Sequence, residues 1–387
     1  MRLKFRRVLL VLGWYDHRLH RGIEKYAQEH GWRLSEDLAR EKVIPWGWDG
    51  DGILAWLGAG DDLADFVVHT GKPTVDFSFR RPELKFARVL EDTTATARLV
   101  ADHFLSRGFR NFRFYSDAPN WIYQERGIAF VAALEQAGGS PTWLRWHESS
   151  AFRTDRKAWK RKREWLVEEI RRAPKPVAVF CASDGLALEA LETCETVGLA
   201  VPEEVAIIGA GNSLLAVDAM HTPISSVDVN LETTGYRGAA LLDELMRRPN
   251  AKAPLPVVRV PPFRLIVRKS SDLVAVNHPG LARGLRFMWD HCHEPIGVSD
   301  LARVASMSLR SFHATFVQHL GRPPGVELHR LRIEKAKRLL LEGNDKLEFI
   351  ADMCGFQSLN SFWVAFKRAT SQTPTQFRKQ TARPAKG

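Results

Sequence analysis

Cysteine is scarce in this chain, and what little there is argues against a stapled or metal-built fold. Cys181, Cys194, Cys292 and Cys354 show no paired spacing, which excludes a disulfide scaffold and predicts free thiols of a cytoplasmic protein. No apolar run approaches the ~20 residues of a membrane span, so no membrane partner is expected. The start, Met1–Gly13, has basic residues before a short apolar segment. No small-residue cleavage site follows, so it reads as the first buried strand of a sheet rather than a leader. The chain also lacks Gly-x-x-x-x-Gly-Lys-Ser/Thr, Gly-x-Ser-x-Gly and His-Glu-x-x-His, and with them the phosphate cradle, strained nucleophile and zinc pair of common enzymes. No catalytic residue and no cofactor are expected. His291-Cys292-His293 tempts a metal reading, but adjacent helical positions point to different sides. No metal is expected either.

Acidic charge is the smaller share, 45 Asp+Glu against 56 Lys+Arg. Residues 285–387 hold 16 basic and 9 acidic side chains, so +7 of the net +11 lies in the last quarter. Such concentration supplies phosphate attraction. In the same quarter, Val298–Phe316 and Leu347–Phe366 read as two copies of a helix–turn–helix. Each has an alanine in its first helix and two phenylalanines four apart in its second, Phe312/Phe316 and Phe362/Phe366. The i,i+4 rings bury one face of the second helix and leave the other to enter a major groove. Between the copies, Pro323-Pro324 opens a long helix with an apolar stripe (Leu328, Leu331, Ile333, Ala336, Leu339, Leu340), closed by Gly343-Asn344. A helix of about 18 residues spans roughly 27 Å, comparable with the ~34 Å repeat of B-DNA. Arg310, Ser311, His313, Ser358, Asn360 and Trp363 are expected near the bases, and Lys367, Arg368, Arg378 and Lys379 on phosphates.

These residues resemble the DNA-binding domain of AraC/XylS-type transcription regulators. The likeness is carried by Leu301-Ala302, Gly321–Pro324, Leu331–Ala336, Cys354-Gly355-Phe356, Phe366–Arg368 and Thr373-Pro374. Ala314 and Val364 stand where the family often has Arg, and Ser371-Gln372 replaces the usual Gly. Base preference therefore does not carry over. The resemblance implies double-stranded DNA and RNA polymerase as partners.

The first 270 residues alternate short β-rich runs with amphipathic helices. Strands are expected at Val8–Gly13, Gly52–Trp56, Pro73–Phe77, Phe112–Ser116, Val177–Ser183 and Val205–Gly209. Helices are expected at His17–His30, Asp61–His69, Thr93–Arg107, Tyr123–Ala137, Asp155–Arg172, Gly185–Val197 and Leu231–Arg247. This alternation means mostly parallel sheets covered on both faces, and the length fits two lobes. Phe263–Arg268 reads as a returning strand, and the basic run Arg153–Arg172 as an exposed helix. In such sheets a ligand sits beyond the carboxyl ends of the strands. Tyr15, Asp16, Phe77, Asp184 and Asn212 fall there, with Trp121 and Arg126 on a helix facing the same edge. Carboxylates, an amide, a guanidinium and flat rings suit a polyhydroxylated ligand. Asp16 and Asp184 also suit the role of helix caps, which does not exclude a ligand.

This part resembles the LacI/GalR-type regulatory domain, a two-lobed fold similar to periplasmic sugar-binding proteins. Glu91-Asp92, Gly108–Phe112, Arg126-Gly127, Ser183-Asp184-Gly185, Gly198–Val205 and Ile224–Val227 carry the likeness. It implies a small-molecule sugar effector bound between the lobes, and a homodimer; the likeness of nearly the whole chain to regulators that join these two domains in this order implies a pentose such as xylose in the first place. Gly209-Ala-Gly-Asn212 stands where such domains usually have Gly-x-Asp-Asn, so a frequent sugar-binding Asp is replaced by Gly211. With Trp14, Trp46, Trp48, Trp56 and Trp121 near the cleft loops, stacking is expected to gain over hydroxyl pairing. The expected architecture is an α/β two-lobed periplasmic-binding-protein-like domain (1–271, N-lobe about 1–110 and 224–250). A linker (272–284) and an all-α domain with two helix-turn-helix motifs (285–387) follow. The alternatives are a solute-binding protein or a sugar-processing enzyme with an incidental basic helical domain.

Overall fold

The computed structural model describes residues 5–36, 43–58, 61–153, 157–213, 222–247, 255–273, 275–276, 278–342 and 345–382. The chain forms two units. The first comprises Met1–Ala97, Ala118–Ala129 and Val227–Phe263, and the second Arg98–Asp117, Phe130–Ser226 and Arg264–Gly387.

The first unit is built on a six-stranded sheet in the order β11-β5-β4-β3-β1-β2, with every pair parallel. Its strands are β1 (Arg6–Leu12), β2 (Trp32–Ser35), β3 (Gly52–Trp56), β4 (Thr74–Asp76), β5 (Ala87–Glu91) and β11 (Val257–Val260). Val8 to Val11 are completely buried, as continuous apolar runs in a sheet covered on both faces should be. Helices α1 (His17–His30), α2 (Asp61–Thr70) and α7 (Leu231–Arg247) belong to this unit. Helix α1 starts on Asp16, whose carboxylate accepts the Arg18 amide hydrogen, and stops at left-handed Gly31. The pattern predicted α1 and α7 to the residue. It missed β2, β5 and β11, each only four or five residues long and carrying an arginine rather than a clean apolar run.

The second unit carries another six-stranded sheet, β12-β10-β9-β8-β6-β7. It comprises β6 (Asn111–Ser116), β7 (Thr142–Arg145), β8 (Val177–Cys181), β9 (Val205–Ala210), β10 (Ser225–Asp228) and β12 (Arg264–Ile266). Two helices straddle the units, α3 (Thr93–Ser106) and α4 (Trp121–Gln136). Helices α5 (Ala158–Arg172) and α6 (Asp184–Thr196) complete this layer. As its composition predicts, α5 buries only Leu166 and Ile170 and holds Trp159 66% exposed under Arg163.

The remaining helices are α8 (Pro279–His291), α9 (Val298–Val304), α10 (Leu309–Leu320), α11 (Pro324–Glu342), α12 (Leu347–Met353), α13 (Leu359–Thr370) and α14 (Pro374–Ala382). They make two cores. Leu281, Leu285, Leu301, Phe312, Phe316 and Leu328 form one, and Ile333, Ala336, Ile350, Cys354, Phe362 and Phe366 the other. Helix α11 thus packs its first half in one module and its second half in the next. The expected closing pair Gly343-Asn344 lies outside the described residues. Arg332 joins the modules, donating from α11 to the carbonyls of Cys292 (2.8 Å), Glu294 (2.7 Å) and Ile296 (2.9 Å). Gly355 presses on the same loop: a Cβ there would meet Glu294 O at 2.6 Å, and its φ is +72°. Only glycine fits such an approach in a left-handed conformation. Helix α8 begins before residue 285, so a fragment starting at 285 would lose Leu281, which is fully buried.

Candidate ligand edges and DNA-reading helices

In the first unit the strand carboxyl ends gather charge and rings. Asp16 is mainly a cap: Arg18 folds back on it with Nη2 at 2.8 Å and Nε at 3.0 Å. Tyr15 is 53% exposed, its hydroxyl 3.0 Å from His20 Nδ1. Trp14 lies against Trp56 with ring centroids 4.6 Å apart. Phe77 does not offer the covering ring expected of it. It is 1% exposed and fills the space beside Gly238, where a Cβ would sit 2.2 Å from its ring. Phe79, half-buried, takes the edge position instead and meets Trp121 edge-on at 6.4 Å. Arg126 forms a buried fork with Glu91, with Nη2 on Oε2 and Nε 3.1 Å from Oε1. Glu91 also accepts from Thr96 Oγ1 at 2.8 Å. Trp46 stands edge-on to Phe66, and Trp48 packs on the core around Leu9 and Ile53.

Asp76, at the end of β4, is a group that sequence reasoning passed over. It is completely buried, accepts from the amides of Leu57 (3.3 Å) and Ser78 (3.0 Å), and lies 3.9 Å from Arg88 Nε. Burial pushes its carboxyl up from 3.8 to about 6, the amide bonds and Arg88 offsetting part of the rise. The folded state therefore holds this proton more tightly than the unfolded chain. That contribution is fully present below about pH 4 and is lost as pH climbs through about 6, at most about 3 kcal/mol. Asp76→Asn should accordingly flatten the stability profile between those limits. Urea melts of both proteins from pH 4 to 7 check it, and parallel profiles would show that Asp76 titrates normally.

In the second unit the edge centres on Asp184, which is 4% exposed. Ser183, not Asp184, is the N-cap of α6. The Asp184 carboxylate instead receives Ser226 Oγ at 2.5 Å and the Ser213 amide at 2.8 Å. It lies against β9 so closely that a Cβ on Gly211 would be 3.2 Å from Oδ2, at φ +128°. Gly211 is thus required by the backbone, and Asp184 occupies the neighbourhood from which an Asp at 211 would act. Asn212 is 9% exposed; its amide donates to Ser226 Oγ at 3.0 Å, and its Oδ1 accepts from Arg268 Nη2 at 3.1 Å. The sequence offers Ser226 only within the Ile224–Val227 likeness and Arg268 only as the end of a returning strand, and the fold alone sets them beside Asn212. Asp117, after β6, pairs with Lys162 at 2.8 Å.

The second unit also joins this edge to the helices. Just after Arg268, Ser271 Oγ lies 3.1 Å from His103 Nε2, and Asp272 lies 3.7 Å from Arg107. Arg107 in turn sits over the Trp289 ring of α8 at 4.1 Å, and its carbonyl accepts the Ala275 amide at 2.7 Å. The expected linker is therefore packed at these points rather than a loose tether. Beyond it, α10 and α13 are both twelve residues long, capped by Ser308 and Ser358 and stopped by left-handed Gly321 and Ser371. Arg310, Ser311, His313, Ser358, Asn360, Lys367 and Arg368 are exposed. Trp363 is half-buried against the second core, and Arg378 donates to Asp345 O at 2.6 Å, which anchors α14. The Lys379 side chain lies outside the described residues.

Comparison with known proteins finds a counterpart for each part of the chain. Residues 101–271 match a periplasmic binding protein-like domain, and residues 301–380 a helix-turn-helix domain. The xylose operon regulatory protein of Escherichia coli strain K12 is 26% identical over 381 residues, 94% of each chain. Its Haemophilus influenzae counterpart is 24% identical, over 85% of this chain and 84% of its own. The helical end alone is 35% identical over 101 residues to the activator RhaS of Pectobacterium carotovorum, covering 26% of this chain and 36% of that protein. A solved structure of the xylose-binding transcription activator xylR shares the fold, with a TM-score of 0.60, 23% identity and coverage of 98% and 99%. Among the described residues no helix is long and apolar enough to cross a membrane. The chain thus joins a periplasmic binding protein-like domain to a helix-turn-helix domain, and it resembles the xylose operon regulators over nearly its whole length.

Proposed function

We propose that this protein binds DNA sequence-specifically through α10 and α13 and controls sugar-utilisation genes in response to a small sugar, a pentose first. The observation that carries the reading is the duplicated module, in which Phe312/Phe316 and Phe362/Phe366 are buried while the opposite faces expose Arg310, His313, Asn360 and Lys367. The names of the full-length relatives support xylose as the first sugar to test. Tyr15, Asp16, Trp121, Arg126, Asp184 and Asn212 are the proposed ligand contacts, with Phe79 in place of Phe77. The proposed role is regulatory, not catalytic, in a cytoplasmic homodimer that meets RNA polymerase at its promoters.

The route from ligand to DNA runs through short steps within the second unit: Asn212, Arg268, Ser271, Asp272, Arg107 and Trp289. A sugar acts along it only by binding two arrangements of these groups with different affinity. Calorimetric titration against xylose, arabinose, ribose and a hexose panel tests the reading, and a saturable pentose signal is expected. Asp184→Asn should weaken it about ten- to a hundredfold, since a charged hydrogen bond contributes ~1.5–3 kcal/mol. DNA affinity without sugar should not change. No heat with any sugar, or an unaltered affinity in Asp184→Asn, would refute the assignment. Arg126→Ala is the poorer probe, because it leaves Glu91 buried without its fork.

A further inference from the structure

His, Cys, Asp and Glu side chains converge at ion-binding spacing in one group among the described residues, His20, Glu24 and Glu36. Their donor atoms all lie within 4.8 Å of one another. His20 and Glu24 are one turn apart on α1, and Glu36 directly follows β2. The His20 side chain is 9% exposed, with Nε2 3.3 Å from Glu36 Oε1 and 3.7 Å from Glu24 Oε1. Despite these neighbours, Nε2 is buried without a hydrogen-bond partner among the described residues. A buried ring nitrogen left in that state is unfavourable unless something else takes it.

We propose that His20, Glu24 and Glu36 bind a divalent transition-metal ion, zinc in the first place, with Tyr15 orienting the imidazole. Zinc takes imidazole nitrogen and carboxylate oxygen at ~2.0–2.2 Å, which sets donors around a tetrahedral ion roughly 3.3–3.5 Å apart. The two spacings from Nε2 match that within a few tenths of an ångström. Two carboxylates balance the ion's charge, and three protein donors leave a fourth position for water or an exchangeable ligand. Calcium and magnesium prefer all-oxygen sets, which the imidazole argues against. A ligating imidazole usually donates its other N–H to a fixed acceptor. Here the Tyr15 hydroxyl, 3.0 Å from Nδ1, is that acceptor. The sequence hid the site because its donors come from a helix and from the end of a strand that the pattern missed.

The test uses full-length protein stripped with a chelator and titrated with zinc alone, in competition with a chromophoric chelator. One equivalent should bind, and cobalt in its place should give the visible bands of a four-coordinate ion. His20→Gln, Glu36→Gln and Glu24→Gln should each weaken binding at least about a hundredfold, and Tyr15→Phe about tenfold to a hundredfold. Glu24 is a half-exposed helix residue, so Glu24→Gln remains readable where His20→Gln does not fold. Failure to bind an equivalent of zinc overturns the proposal and leaves His20 packed beside its two carboxylates with no ion between them. Binding that all four substitutions leave unchanged overturns it equally and moves the ion elsewhere, to His291 and His293 for instance.

Discussion

Raising salt from about 50 to about 200 mM is expected to weaken DNA binding about a thousandfold, the loss that follows from about six phosphate contacts. Sixteen basic residues lie in 285–387, but the structure removes several from the count. Arg322 and Arg330 flank the buried carboxylate of Glu327, Arg303 pairs with Asp300, and Lys337 pairs with Glu334. Arg332 and Arg378 hold backbone carbonyls. Arg310, Lys346, Lys367 and Arg368 stay exposed around the two reading helices, and they are the proposed core of the contact. Lys367→Ala and Arg368→Ala should weaken binding evenly across sequences and each reduce the salt slope by about 1. Arg310→Ala should instead relax preference at one base position, at ~1–3 kcal/mol for a guanine contact. Fluorescence anisotropy on randomised operators at several salt concentrations distinguishes these. A nearly flat salt dependence would mean that this face does not meet phosphates at all.

The second large effect is expected from Phe362→Ala. Phe362 is completely buried, with ring centroids 5.3 Å from Phe356 and 5.6 Å from Phe366. Truncation removes the ring and leaves a cavity, a loss of ~3–5 kcal/mol. That is comparable with the whole stability of a domain this size. The second module should unfold or loosen, and a hydroxyl-radical footprint should shrink to the half read by α10. Phe312→Ala is the mirror experiment in the first module. Because Arg332 and Gly355 tie the modules at the α8–α9 loop, some loss in the partner module is expected in each case. A full-length footprint and an unchanged melting temperature for Phe362→Ala would show that the second core does not support DNA reading.

The candidate site was legible unevenly, for physical reasons. The exposure of Arg310, His313, Asn360, Lys367 and Arg368 on α10 and α13 follows from helical period alone, because the phenylalanines four apart claim the opposite face. Trp363 and Arg378 did not behave as simple contacts, because a ring beside the core packs into it and a guanidinium near a loop carbonyl donates to it. Phe77 shows the limit for the ligand edge. Alternation places its side chain on one face of a strand end, but whether that face meets a helix or solvent depends on Gly238, over 150 residues away.

The sequence by itself determined the order of the two domains, the helix-turn-helix duplication and the α/β alternation. These rest on local period, capping residues and close spacing, which act within a few turns of chain. Tertiary structure alone decided that Asp184 binds Ser226 and the Ser213 amide. It also decided that Asp76 is buried enough for its carboxyl to rise to about 6, that Arg268 reaches Asn212, and that Arg107 stacks on Trp289. Each of these needs groups tens to hundreds of residues apart to be fixed within 3–5 Å. Desolvation and hydrogen-bond geometry vary steeply over that distance, and no local pattern in the chain encodes it.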